Sequence, residues 1–139
     1  MVEGAKSKWE KDLEIGEAFE NKVLELFSKK HTAYKIVGKF KAFDLVCECC
    51  GTTIECKYDT IANKTGNFFF SFPLLETEAD LLFQGTPTSI HWCDMEDLRY
   101  WVGLGAELEL IQEKVGNEGE YGYVVPIKDT QAYMRRIYG

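Results

Sequence analysis

Phe43-Asp44-Leu45-Val46-Cys47-Glu48-Cys49-Cys50-Gly51-Thr52-Thr53-Ile54-Glu55-Cys56-Lys57-Tyr58 is the stretch on which the fold turns. Two runs rich in β-formers, 43–49 and 53–58, flank Cys50-Gly51-Thr52, whose glycine suits a tight reversal, so the segment reads as an antiparallel hairpin. Side chains on a strand alternate between faces. Glu55 and Lys57 therefore project from one side of the second strand, and Ile54 and Cys56 from the other. With the hairpin paired this way, Asp44 at the start of the first strand lies beside Glu55, which sets two carboxylates and an ammonium together on one sheet.

Upstream, Ile15, Phe19, Val23, Leu26 and Phe27 recur at helical spacing and predict a helix over 14–28, followed by a strand over 34–40. Downstream, 61–67 is a polar, glycine-containing loop, and Phe68-Phe69-Phe70-Ser71-Phe72 predicts an apolar strand inside the sheet, closed by Pro73. The acidic and apolar run 74–83 has helical spacing and stops near Gln84-Gly85. Ser89 to Cys93 reads as a strand, with Asp94 capping a helix over 95–102. A loop over 116–122 leads to a strand over 123–127, and Asp129 is placed to cap a last helix through Ile137. The plan is a single α/β domain over 1–139, a central mixed β-sheet flanked by helices.

The 139 residues suffice for one core, and no apolar run approaches the roughly 20 residues that cross a bilayer, so no membrane partner is expected. Nothing at the N-terminus resembles a secretory signal. Five cysteines, four of them within ten positions, do not form a spaced disulfide framework and suit a reducing, cytoplasmic compartment. The Cys47-x-x-Cys50 spacing makes half of a zinc knuckle; Cys56, Cys93, His31 and His91 are the other soft candidates, and the cysteines read more simply as small apolar strand residues. His31 and His91 are not placed like general bases, and Trp92, Tyr100 and Trp101 read as core or interface aromatics.

The net charge of −7 repels polyanions at long range, yet it is unevenly spread. Residues 1–41 hold nine lysines against seven acids (+2), and 42–139 hold seven basic against sixteen acidic groups (−9). Lys29, Lys30, Lys35, Lys39 and Lys41 follow one another without an intervening acid. That run reads either as a solvated face or as a phosphate contact.

Two adjacent carboxylates repel unless a cation intervenes, and Mg²⁺ takes one or two carboxylates with water and phosphate oxygens completing its octahedron. Asp44, ten intervening residues and then Glu55-Cys56-Lys57, on a hairpin behind an amphipathic helix, resemble the PD-(D/E)XK nuclease superfamily, with Phe43 in place of the proline that names the motif. The resemblance implies a restriction endonuclease-like core of order αβββαβ. It implies Mg²⁺, with Mn²⁺ able to substitute, held by Asp44, Glu55 and the Cys56 carbonyl, and Lys57 orienting or deprotonating the attacking water. A helix glutamate near the metal is also implied, and of Glu17 and Glu20 the latter falls at the border of the apolar stripe. Lys64, Thr65 and Asn67, together with Lys39 and Lys41, are the implied contacts to DNA phosphate. The expected activity is hydrolysis of DNA phosphodiester bonds, structure-directed, in recombination, repair or phage DNA processing, with a homodimer as a possible assembly. The alternative is a catalytically silent nuclease-like module that binds DNA or protein.

Overall fold

The computed structural model describes residues 7–36, 43–107, 112–115 and 120–138. Helix α1 spans Lys8–Phe27 and starts earlier than the apolar stripe alone predicts, because Ser7 caps it. The Ser7 hydroxyl accepts the Glu10 N–H at 3.1 Å and donates to the Glu10 carboxylate at 3.3 Å, satisfying donors that a helix start leaves orphaned. Phe19 and Val23 are buried on its inner face, whereas Ile15, at the outer end of the stripe, is exposed.

Strands β1 (Ala33–Lys35), β2 (Leu45–Cys47) and β3 (Thr53–Tyr58) form an antiparallel meander in which Leu45 pairs with Ile54 and Val46 with Thr53. The hairpin turn closes with the Gly51 N–H donating to the Cys47 carbonyl at 2.8 Å, Gly51 lying at φ 74°. That left-handed angle is where glycine avoids the steric penalty of a Cβ. A four-residue helix α2 (Ala62–Thr65) occupies part of the expected loop, then β4 (Asn67–Ser71) and a single turn α3 (Phe72–Leu75) follow. Next come β5 (Leu81–Gly85), β6 (Ile90–Asp94), α4 (Met95–Glu107), β7 (Gln112–Val115), β8 (Glu120–Pro126), a 3-10 helix (Ile127–Ala132) and β9 (Arg135–Tyr138).

Six strands make a mixed sheet in the order β1-β2-β3-β5-β6-β9, with β3 and β5 parallel and the other pairs antiparallel. A second sheet has the order β4-β8-β7. The mixed α/β class and the central mixed sheet agree with expectation, the part of the expected 34–40 strand beyond residue 36 lies outside the described residues, and besides α2 three elements differ. The apolar strand at 68–72 lies in the second sheet, pairing with β8, and not in the central one. The helix expected over 74–83 ends at Leu75, and 81–85 is a strand: the Asp80 carboxylate accepts the Thr53 N–H at 2.9 Å and thereby draws this segment alongside β3. The last helix is replaced by the 3-10 turn and β9, which finds ladder partners on β6.

Each face of the central sheet carries its own apolar cluster. Ile54, Cys56, Phe83 and Ile90 pack under Phe19 and Val23 of α1. On the other face Leu82 and Cys93 meet Phe68 and Phe70 of β4, Leu98 and Val102 of α4, and Val125 of β8. Gly85 permits the first contact, since a Cβ there would lie 2.3 Å from the Phe19 ring. Among the described residues no helix is long and apolar enough to cross a membrane.

Candidate functional site

Asp44 is buried immediately ahead of β2 and is bonded twice to β3. Its N–H donates to the Ile54 carbonyl at 2.9 Å, and its Oδ2 accepts the Cys56 N–H at 2.8 Å. The carboxylate is thus fixed at the residue between Glu55 and Lys57. In an extended strand a residue's N–H and C=O point to the same side, so the Cys56 carbonyl also faces the Asp44 side. The alternation read from sequence holds on β3: Ile54 and Cys56 are buried under α1, while Glu55 and Lys57 share the opposite face with 4.0 Å between Oε1 and Nζ. The Lys57 side chain is half exposed.

Glu55 has a neighbour that the motif does not announce. The Thr77 hydroxyl donates to Glu55 Oε2 at 3.5 Å, and the segment carrying Thr77 is held by Arg99, which donates to the Leu75 carbonyl at 2.7 Å and to the Thr77 carbonyl. Across the parallel ladder Lys57 pairs with Gln84, whose side chain is buried and whose Oε1 accepts no hydrogen bond from the described residues. A cavity of about 230 Å³ opens there, lined among others by Lys57, Asp59, Phe69, Ser71 and Gln84. Burial pushes the Asp59 carboxyl above its usual range, against a hydrogen bond from the Ile61 N–H that lowers it. The glutamine's sequence signal was its place in the otherwise apolar run Leu81-Leu82-Phe83. Thr77 had none, because its role depends on where α3 ends.

The remaining expected residues are spread more widely. Glu20 sits on α1, on the face of the sheet opposite Glu55 and Lys57, with its Oε1 3.9 Å from Lys35 Nζ. Lys64 is exposed on α2. The Thr65 hydroxyl is engaged in its own turn, donating to the Ile61 carbonyl at 3.3 Å and accepting the Asn67 N–H at 3.1 Å, while Asn67 opens β4 opposite Pro126. Thr65 therefore has a local structural task. Lys39 and Lys41 lie outside the described residues.

At the far end of the same hairpin the soft donors converge. His31 Nδ1 lies 3.5 Å from Cys47 Sγ, 3.5 Å from Cys49 Sγ and 3.9 Å from Cys50 Sγ. Cys47 and Cys49 Sγ are 3.1 Å apart, and the four donor atoms all fall within 4.8 Å of one another. A hydrogen bond to Thr52 brings the Cys50 thiol down to about 6, the bond to Cys47 lowers Cys49, and desolvation raises Cys47 to about 11. His31, assigned no role from sequence, is central here. Cys56 and Cys93 are buried apolar strand residues, as the composition suggested.

No protein-family model, curated protein or solved structure matches this chain.

Proposed function

We propose that the chain is a divalent-metal-dependent nuclease that hydrolyses DNA phosphodiester bonds at the open end of the β2–β3 hairpin. The observation that carries this reading is the 2.8 Å bond from the Cys56 N–H to Asp44 Oδ2, which brings a buried carboxylate to the point on β3 flanked by Glu55 and Lys57. The order of elements also supports it in part: a helix, a three-stranded antiparallel meander, then a helix and β5 beside β3 follow the αβββαβ order that the resemblance implies, with β4 set aside in the second sheet. Hard carboxylate and carbonyl oxygens suit Mg²⁺ or Mn²⁺, so Asp44, Glu55 and the Cys56 carbonyl are the residues that would hold the ion. When bound, such an ion supplies Lewis-acid stabilisation of the phosphoryl oxygens and makes water a better nucleophile near neutral pH.

The chain's own groups have separable tasks. The Cys56 amide aims the Asp44 carboxylate. Thr77 fixes Glu55, and Arg99 fixes Thr77. Lys57, half exposed beside Glu55, orients the attacking water and offsets charge that builds on the phosphate. Exposed Lys64 and the lysines that follow α1 contribute backbone phosphate contacts, which a protein of net charge −7 needs locally.

The test is cleavage of branched, flapped, blunt and single-stranded DNA in Mg²⁺ or Mn²⁺. Glu55→Gln and Lys57→Ala are each expected to slow cleavage by roughly 10²–10⁴-fold while leaving the circular dichroism spectrum unchanged. Full activity in either variant overturns the proposal. DNA binding without cleavage of any substrate in either metal does so too, in favour of a silent module.

A further inference from the structure

We infer that His31, Cys47, Cys49 and Cys50 form a structural zinc site that staples the end of α1 to the β2–β3 turn. A tetrahedral Zn²⁺ with Zn–S near 2.3 Å and Zn–N near 2.0–2.1 Å has ligand-to-ligand edges of about 3.8 Å between sulfurs and about 3.6 Å between sulfur and nitrogen. The three nitrogen–sulfur separations here, 3.5, 3.5 and 3.9 Å, fall close to that edge length. The Cys47–Cys49 separation of 3.1 Å is shorter than an edge and far longer than the roughly 2.05 Å of a disulfide, and all five cysteines are free. Binding an ion requires the Cys47 and Cys49 sulfurs to move apart by about 0.7 Å to reach the tetrahedral edge.

Two features favour a single ion with four protein ligands. The donors lie within 4.8 Å of one another, whereas an iron–sulfur cluster spreads its ligand set over two or more irons and so holds the set as a whole wider apart. Three thiols and an imidazole are soft donors that suit zinc and offer nothing to Mg²⁺. Four protein ligands leave no open position, so the role is structural rather than catalytic.

The supports of the ligands are already in place. Phe27 stacks on the His31 ring at 4.4 Å with planes 24° apart, and the His31 backbone N–H donates to the Phe27 carbonyl at 3.0 Å, so both the ring and the main chain of His31 are held at the end of α1. The Glu48 N–H donates to the Thr32 carbonyl at 2.7 Å, tying the turn to the segment that leaves α1. Gly51 at φ 74° lets the chain reverse directly after Cys50, which keeps both neighbouring thiols on the side of His31. Zinc here replaces loose side-chain contacts with coordinate bonds between elements sixteen or more residues apart.

The test uses the full-length protein, purified under reducing conditions, with zinc measured by elemental analysis and then replaced by Co²⁺. One zinc per chain is expected, with the visible bands and thiolate charge-transfer absorption of tetrahedral Co²⁺. Because Cys47 is buried and its replacement can unfold the chain, the variants are the exposed Cys49→Ser and Cys50→Ser. Each is expected to weaken zinc more than about 100-fold, beyond the usual cost of losing even an outer-shell partner. Cys93→Ser should leave zinc content unchanged, and so should Glu55→Gln, which separates this site from the proposed nuclease centre. Substoichiometric zinc in fresh protein, an octahedral Co²⁺ spectrum, or full affinity in both serine variants overturns the inference.

Discussion

Replacing Asp44 by asparagine and by alanine separates what this carboxylate does for the fold from what it does for chemistry. The side chain is buried, and its Oδ2 is the acceptor for the Cys56 N–H at 2.8 Å. Asparagine is nearly isosteric and keeps an oxygen for that N–H. It exchanges a charged acceptor, worth about 1.5–3 kcal/mol, for a neutral one, worth about 0.5–1.5 kcal/mol. The net loss of stability is therefore about 1 kcal/mol, reduced further because a buried charge no longer needs to be desolvated. Alanine removes the acceptor altogether and leaves a buried N–H unsatisfied, costing about 2–3 kcal/mol. Cleavage should not follow stability. Both variants lose a metal-binding charge, so each is expected to fall by roughly 10²-fold or more in kcat/KM. Urea unfolding gives the stability order, wild type above Asp44→Asn above Asp44→Ala, and kinetics on the best DNA substrate gives the activity order. Asp44→Asn that cuts within about threefold of wild type would refute a role at the metal, and Asp44→Asn as unstable as Asp44→Ala would refute the hydrogen-bond account.

Two further outcomes follow from the packing. Gly85→Ala places a Cβ 2.3 Å from the Phe19 ring, and should cost about 1–3 kcal/mol in urea unfolding, an effect that Phe19→Leu in the same chain relieves in part; equal midpoints for Gly85→Ala and wild type would contradict the close approach of α1. His91 is buried, its Nε2 2.9 Å from Ser89 Oγ, and burial lowers its pKa, with Arg136 adding to the shift. The unfolded chain then takes up the proton first as pH falls through the ordinary imidazole range near 6.5, so stability present above that range is lost on acidification. The decline between pH 7.5 and 5 should be shallower in His91→Gln, and an unchanged slope would count against the assignment.

The hairpin and α1 were legible because their signals are local. A period of 3.6 through Phe19 and Val23, and a turn glycine between two β-rich runs, each need only a short window. The same alternation put Glu55 and Lys57 on one face. The 74–83 region misled for the opposite reason: its apolar spacing suits a helix, but Asp80 bonded to Thr53, twenty-seven positions away, decides in favour of a strand. Periodicity carries no trace of that partner. Gln84 is likewise set by the parallel β3–β5 pairing, and Thr77 by the end of α3 and its bond from Arg99. The thiol cluster was half visible, since the Cys47-x-x-Cys50 spacing marks one pair and His31 stood among the soft candidates, whereas the spacing did not single out Cys49 and the set closes only once the end of α1 lies over the turn.

The detour between β3 and β5 has a consequence for the growing chain. Phe68 and Phe70 sit on β4, whose ladder partner β8 begins fifty-three positions after β4 does, at Glu120. During synthesis Leu82, Cys93 and Leu98 emerge in time to meet these rings, but the β4 edge waits for a strand the ribosome has not yet made, so a nascent chain passes through an interval in which that aromatic strand is unpaired. Translation arrest before β8, or a frameshift there, would deliver a polypeptide that already holds Asp44, Glu55 and Lys57 yet lacks the cover for the neighbouring aromatic layer. On the proposed reading, the hydrolytic site would then gain its full surroundings late, only after the last third has emerged.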